Sequence, residues 1–119
     1  MQRSRILLMG LTSMLGDLVR GVVDRCPDLE IVGEIESLGE LAAEGGRLRP
    51  DVVLTRYATD DLPVACRELM TARPRTRVVV LTDRGKRGSL WRMRPYCVPL
   101  ESLSPETLVH ALRQEEEPA

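Results

Sequence analysis

"PDVVLTRYATDD", residues 50–61, starts as a buried strand and ends in Thr55, Arg56 and Tyr57, which a buried strand does not need. Val52, Val53 and Leu54 form an uninterrupted apolar run, the pattern of a parallel strand covered on both faces. Pro50 closes whatever helix precedes it, and Asp60 or Asp61 offers an N-cap for a helix that follows. An arginine at the mouth of such a strand is the feature that a functional reading has to explain.

Outward from this strand, β-like runs at residues 6–9, 30–35, 78–82 and 96–100 alternate with helix-like runs. Residues 6–9 and 78–82 are also continuous and apolar, whereas "EIVGEI" (30–35) alternates and reads as an edge strand. Leu15, Leu18, Val19, Val22, Val23 and Cys26 share one helical face that Pro27 closes. Leu38, Leu41, Ala42 and Leu48 mark a second helix, weakened by Gly45 and Gly46. A third is expected over residues 61–72 with Leu62, Ala65, Cys66, Leu69 and Met70 inward. "LSPETLVHALRQ" supplies the last, with Ser104 as N-cap, Pro105 at the first helical position and Leu108, Val109 and Leu112 buried. His110 falls off that stripe and is expected in solvent. The connection "DRGKRGSLWRMRP" has two glycines and five basic residues, and holds at most a short helix. Strict βα alternation predicts a doubly wound parallel sheet.

The 119 residues suit one domain spanning 1–119, with 115–119 as an acidic tail or the start of a linker. Seventeen Lys and Arg against eighteen Asp and Glu give a net charge of −1, which argues against a dedicated nucleic-acid binder and against a disordered acidic segment. Cys26, Cys66 and Cys97 are far apart and lie among apolar neighbours, so buried reduced thiols are expected, not a disulfide framework or a zinc site. "MQRSR" followed by "ILLMGLTSML" copies the start of a signal peptide, but no small-x-small site follows and no run approaches a membrane span. A soluble, cytoplasmic protein is the expectation.

The stretches "RILLMGLTSMLGDLVRGVVDRCPDLEIVGEI", "RPDVVLTRY", "TRVVVLTD" and "SLSPETLVHALR" together resemble the receiver domain of two-component response regulators over nearly the whole chain. The resemblance implies an α/β, flavodoxin-like (CheY-like) sheet of five parallel strands ordered 2-1-3-4-5, with a short or irregular fourth helix. It also implies a pocket at the carboxyl ends of the strands: an acidic pair after the first strand for Mg²⁺, an aspartate after the third to take the phosphoryl group, a Thr or Ser after the fourth and a lysine after the fifth. Here the acidic pair falls on Gly10 and Leu11, the acceptor on Arg56, and only Thr82 agrees. The lysine position falls on Glu101 or on Pro99, depending on the direction of counting. A guanidinium cannot accept a phosphoryl group in this way and repels Mg²⁺, so the resemblance is to a degenerate pseudo-receiver that works without phosphorylation, with no catalytic residues, metal or cofactor. If Glu101 holds the lysine position, the two charges are exchanged and an Arg56–Glu101 ion pair would bridge the third and fifth strands in a partly dry pocket.

The family signals mostly through the fourth helix, fifth strand and fifth helix. In that region Arg84, Lys86, Arg87, Arg92 and Arg94 cluster in sequence with Trp91 and Tyr96, residue types that anchor protein interfaces. A protein partner, or a second copy of the chain across this face, is therefore the expected ligand; nucleic acid and membrane are not. Packing of Trp91 in the core is the competing reading. A different class of function is a flavodoxin-like module binding a nucleotide or flavin phosphate at the hydroxyl-rich Gly10–Ser13 loop. That loop fits neither GxGxxG nor a P-loop, and with no Phe, one Trp and two Tyr the chain has little to stack on a flavin.

Overall fold

The computed structural model describes residues 3–58, 61–82, 86–92, 97–100 and 103–113. Its elements run β1 (Ser4–Met9), α1 (Ser13–Asp24), β2 (Leu29–Ile35), a 3₁₀ turn (Leu38–Glu40), α2 (Leu41–Leu48), β3 (Val52–Arg56), α3 (Val64–Ala72), β4 (Arg77–Thr82), β5 (Arg87–Trp91), β6 (Val98–Leu100) and α4 (Pro105–Leu112). They build one sheet in the order β2-β1-β3-β4-β5-β6. β2, β1, β3 and β4 are parallel, β5 is antiparallel to β4, and β6 is antiparallel to β5.

The three central strands are the continuous apolar runs, and their alternate side chains feed two cores. Ile6, Leu8, Val52, Leu54, Val79 and Leu81 pack with Val19, Val22 and Val23 of α1 and with Leu108 and Leu112 of α4. Leu7, Met9, Val53, Val78 and Val80 pack on the other face with Leu41 of α2 and Cys66, Leu69 and Met70 of α3. "EIVGEI" is an edge strand as its alternation predicts, and its pairing with β1 carries a bulge where Val32 has no partner between Ile6 and Leu7.

Four helices stand among the described residues where the spacing expects them, but the described part of the fourth connection is not the short helix that the resemblance implies. Residues 87–91 form a strand, so the sheet has six strands with an antiparallel margin, not five parallel ones. The reason is local. "RGSLW" alternates: Leu90 faces the α1 and α4 core, while Trp91 faces the α2 and α3 core. Gly88 lets β5 approach β4, since a Cβ there would lie 2.5 Å from the carbonyl oxygen of Val80. Ser89, fully buried, accepts a hydrogen bond from the Trp91 indole N–H at 2.8 Å.

Helix boundaries follow their caps. The Thr12 hydroxyl accepts the Leu15 N–H, and the Ser104 hydroxyl accepts the Thr107 N–H with Pro105 opening α4. α3 starts at Val64, not at residue 61, because Pro63, at φ −58 and ψ 146, holds the N-cap position with no side-chain cap; Asp60 lies outside the described residues. Three of the apolar residues that mark these helices in sequence do not face the core. Leu18 is 54% exposed, and Ala42 and Leu38 also reach solvent. Gly45 is less a weakness in α2 than a contact point, because a Cβ there would lie 2.8 Å from Leu69 of α3. His110 is exposed, as expected.

None of the three cysteines is in a disulfide; Cys26 and Cys66 are buried and Cys97 is half-buried, less enclosed than its sequence neighbours suggest. Burial pushes the Cys66 thiol up to about 12. The Arg113 guanidinium, 2.7 Å from Asp28, ties α4 to the turn before β2 and holds the Asp28 carboxyl below its ordinary 3.8.

Two measurements check this architecture. Gly88→Ala should lower the urea midpoint, with a loss of about 1–3 kcal/mol from forcing a methyl group against backbone, whereas substitution at exposed Gly46, where a Cβ meets nothing within 4 Å, should not. A carboxyl whose folded pKa is depressed stabilises the fold above its unfolded value and ceases to do so as pH falls through the folded one. Wild type should therefore exceed Arg113→Gln in stability at neutral pH by under about 1 kcal/mol, as suits a partly exposed pair, and the gap should close below the ordinary Asp28 value of 3.8.

Candidate functional site

In open α/β sheets, ligands bind beyond the carboxyl ends of the parallel strands. β1 ends there in Gly10, whose φ of +65° suits glycine and whose N–H donates to the Ile35 carbonyl at 3.0 Å. Leu11 turns back and packs on the α1 and α4 core. Thr12 is the N-cap of α1 and Ser13 its first residue, both exposed, so the hydroxyl-rich loop does ordinary capping work.

An open cleft beside this loop is lined by Gly10–Ser13, Gly16, Asp17, Arg20 and residues 34–36. Its charged groups are Asp17, Glu34 and Glu36 against Arg20, and Arg20 is already paired with Glu34. That electrostatic balance opposes a flavin or nucleotide phosphate. Among the described residues, no three His, Cys, Asp or Glu side chains come together as metal ligands.

β3 ends at Arg56, in register with Leu81 of β4, and the following Tyr57 N–H donates to the Leu81 carbonyl at 3.1 Å. Arg56 is exposed and makes no ion pair among the described residues. It does not sit in the partly dry pocket expected for the exchanged ion pair; Glu101, the other half of that pair, lies outside the described residues. Thr82, half-buried, closes β4 directly opposite Arg87. Exposed Lys86 accepts the Leu103 N–H through its carbonyl at 3.1 Å.

The structure divides the predicted basic and aromatic patch. Because β5 runs against β4, Arg87 stands at the carboxyl edge beside Thr82, while Trp91 stands at the opposite edge beside Val78. Four strand steps, about 13 Å, separate them. Trp91 is half-buried and packs on the α2 and α3 core, as the competing reading expects. Arg92 is half-buried and engaged. Arg84, Arg94 and Tyr96 lie outside the described residues. Arg56, Thr82, Lys86 and Arg87 all stand at this edge, where ligands of an open α/β sheet are expected, and it is the reversed direction of β5, set by its pairing with β4, that carries Trp91 away from them.

No family model matches the chain, and no curated protein matches it in sequence. Solved structures do. The response regulator domain of Thermotoga maritima CheB superposes with a TM-score of 0.63 at 19% identity, covering 95% of this chain and 96% of that one. The isolated receiver (REC) domain of RcsB from Salmonella enterica serovar Typhimurium, in the presence of phosphomimetic BeF3⁻, gives 0.55 at 15% identity over 68% of this chain and 62% of that one. RcsB bound to promoter rprA gives 0.56 at 15%, over 68% and 43%. The chain thus spans less than two thirds of the RcsB structures.

Truncations at the two ends of β5 should separate packing from surface chemistry. Trp91→Ala should cost about 2–4 kcal/mol in chemical denaturation, below the full cost for a wholly buried indole, while Arg87→Ala should stay within about 0.5 kcal/mol of wild type. At these identities what the chain shares with response regulator receiver domains is the fold: it is receiver-like, with a six-stranded, partly antiparallel sheet in place of five parallel strands.

Proposed function

We propose that this chain is a pseudo-receiver: a regulatory domain that acts through protein–protein contact and does not use a phosphoryl group. The observation that carries the reading is Arg56, exposed at the end of β3 where the receiver resemblance calls for an aspartate. Its surroundings agree with it. Gly10 and Leu11 occupy the positions of the metal-binding acidic pair, and Leu11 is partly packed into the core. The neighbouring strand brings Arg87 next to Thr82, with Lys86 before it. Cations on this edge raise the free energy of a bound Mg²⁺, and Arg56 itself offers no carboxylate oxygen to take a phosphoryl group from a phosphohistidine.

Contact with a partner then has to use surface that needs no switch. Among the described residues β5 stands between β4 and β6, so the corresponding face is made by β5, β6 and α4, and Lys86 and Arg87 at its edge are exposed basic groups that suit an acidic partner surface. Nothing in this reading requires catalysis or a cofactor.

Amide NMR spectra recorded with Mg²⁺ and either acetyl phosphate or beryllofluoride should show no shifts around Gly10, Arg56 and Thr82. Arg56→Asp alone should remain silent, since two carboxylates for the metal are still missing. Stoichiometric phosphoaspartate in the wild-type chain, found by mass spectrometry, would overturn the reading.

A further inference from the structure

The edge of the sheet where the parallel strands begin gathers guanidinium groups. Ile6, Val52 and Arg77 stand level on β1, β3 and β4, so the segments leading into these strands emerge side by side, about 4.8 Å apart. They carry Arg3 before β1, Arg49 before β3, and Arg73 and Arg75 before β4. Arg3, Arg49 and Arg75 are exposed, and none of them makes an ion pair among the described residues. The carboxylates of the segments leading into β2 and β3 are engaged, Asp28 by Arg113 and Asp51 by the Arg5 N–H at 2.9 Å.

The backbone beneath these side chains is locked. The Asp51 N–H donates to the Arg5 carbonyl at 2.8 Å, the Arg77 N–H to the Asp51 carbonyl at 2.9 Å, and the Thr76 hydroxyl to the Pro50 carbonyl at 2.8 Å. Arg5 fixes the end of α2 by donating to the Leu48 carbonyl at 2.7 and 3.2 Å. On this frame two arginines are kept at a cost. Arg49 has a φ of +49°, the left-handed conformation that a helix end usually gives to glycine. Arg73, half-buried at the end of α3, has its Nε buried with no hydrogen-bond partner among the described residues, so a rotation toward an incoming oxygen would satisfy it. Strain and an unmet donor at the ends of two neighbouring helices point to a ligand.

The size and setting of the patch select the occupant. Three neighbouring strands make it about 10 Å wide, and on the β2 side it meets the Asp28–Arg113 pair. A nucleic-acid backbone needs a longer basic track and aromatic side chains on which its bases stack; Trp91, at this edge, is packed on the α2 and α3 core. An extended peptide sets alternate side chains about 6.7 Å apart, so roughly two or three carboxylates span the guanidinium groups, which pair with them as bidentate forks. The chain's own run Glu115–Glu117, outside the described residues, follows α4, which packs on the other face of the sheet from the helices whose ends carry Arg49 and Arg73. We infer that this edge, through Arg3, Arg49, Arg73 and Arg75, is a docking surface for an acidic peptide segment of a partner protein. It lies opposite the edge that holds Arg56, Lys86 and Arg87, and it does not depend on whether that edge takes a phosphoryl group.

Fluorescence anisotropy of a labelled hexaglutamate peptide titrated with the intact chain at low salt tests this, with amide NMR to locate the contact. Binding should saturate, weaken as salt is added, and shift the amides of Arg3, Arg49, Arg75 and Thr76. Arg75→Glu and Arg49→Gly should each weaken it by about fivefold or more, whereas Arg67→Glu, a charge reversal at an exposed position of α3, should change it by less than about twofold. Arg49→Gly should keep or raise the thermal midpoint, because glycine relieves the left-handed conformation. The absence of saturable binding, an affinity unchanged in folded Arg49→Gly and Arg75→Glu, or a single-stranded DNA oligomer that binds more tightly through the same residues would overturn the proposal. Replacing Glu115, Glu116 and Glu117 by Gln should leave the Arg49 and Arg75 amides of the peptide-free chain in place; their movement would assign the edge to the chain's own acidic run and overturn it as well.

Discussion

Dry packing of β3 on both faces is the constraint from which the rest of the molecule follows. Val52, Val53 and Leu54 are completely buried, as are Ile6, Leu7 and Leu8 on one side and Val78, Val79 and Val80 on the other. Strands covered above and below need helices on both faces, so α1 and α4 must lie on one side and α2 and α3 on the other. Parallel pairing in turn sends each strand out at the same edge. Arg56 is exposed because β3 has reached that edge, and the same geometry brings Gly10 and Thr82 level with it. The position of the candidate site is thus a consequence of the core, whatever residues occupy it.

What the site can do depends on the sign of its charges. A receiver-like edge that gathers carboxylates would attract a divalent cation; this one offers Arg56, Lys86 and Arg87 among the described residues. The carboxylates that are described near the first strand, Asp17, Glu34 and Glu36, lie around a separate cleft with Arg20 between them. The backbone scaffold of the receiver-like fold is present, and on the proposed reading Gly10, Leu11 and Arg56 stand where the resemblance calls for carboxylates.

Much of this was legible in the residues. The three central strands are readable because two-sided burial leaves no polar alternation to confuse them, and α1 because its apolar spacing is strict. Leu18 was misassigned because it stands at the margin of that stripe, where one helical step separates core from solvent. The larger miss was β5. A five-residue strand with a glycine and an arginine carries too short a pattern to outweigh the helix that the resemblance calls for, and strand direction is set only by pairing with β4. The separation of Arg87 from Trp91 follows from that direction, so no linear reading of "KRGSLWR" could have given it.

The reversed strand also alters how the sheet comes together. Each parallel pair must wait for a helix-bearing crossover to be threaded, and the loop entropy of that closure is lost before the pairing rewards it. β4 and β5 need only a short connection, since Thr82 and Arg87 are already partners, and β6 returns after another brief one. The margin of the sheet is therefore local in contact order while its centre is not. At the outer side β6 is three residues long and contains Pro99, which lacks an N–H to offer a neighbouring chain. A segment that forms readily by itself thus presents a poor template for growth, the combination that keeps an early-formed β structure from recruiting other molecules.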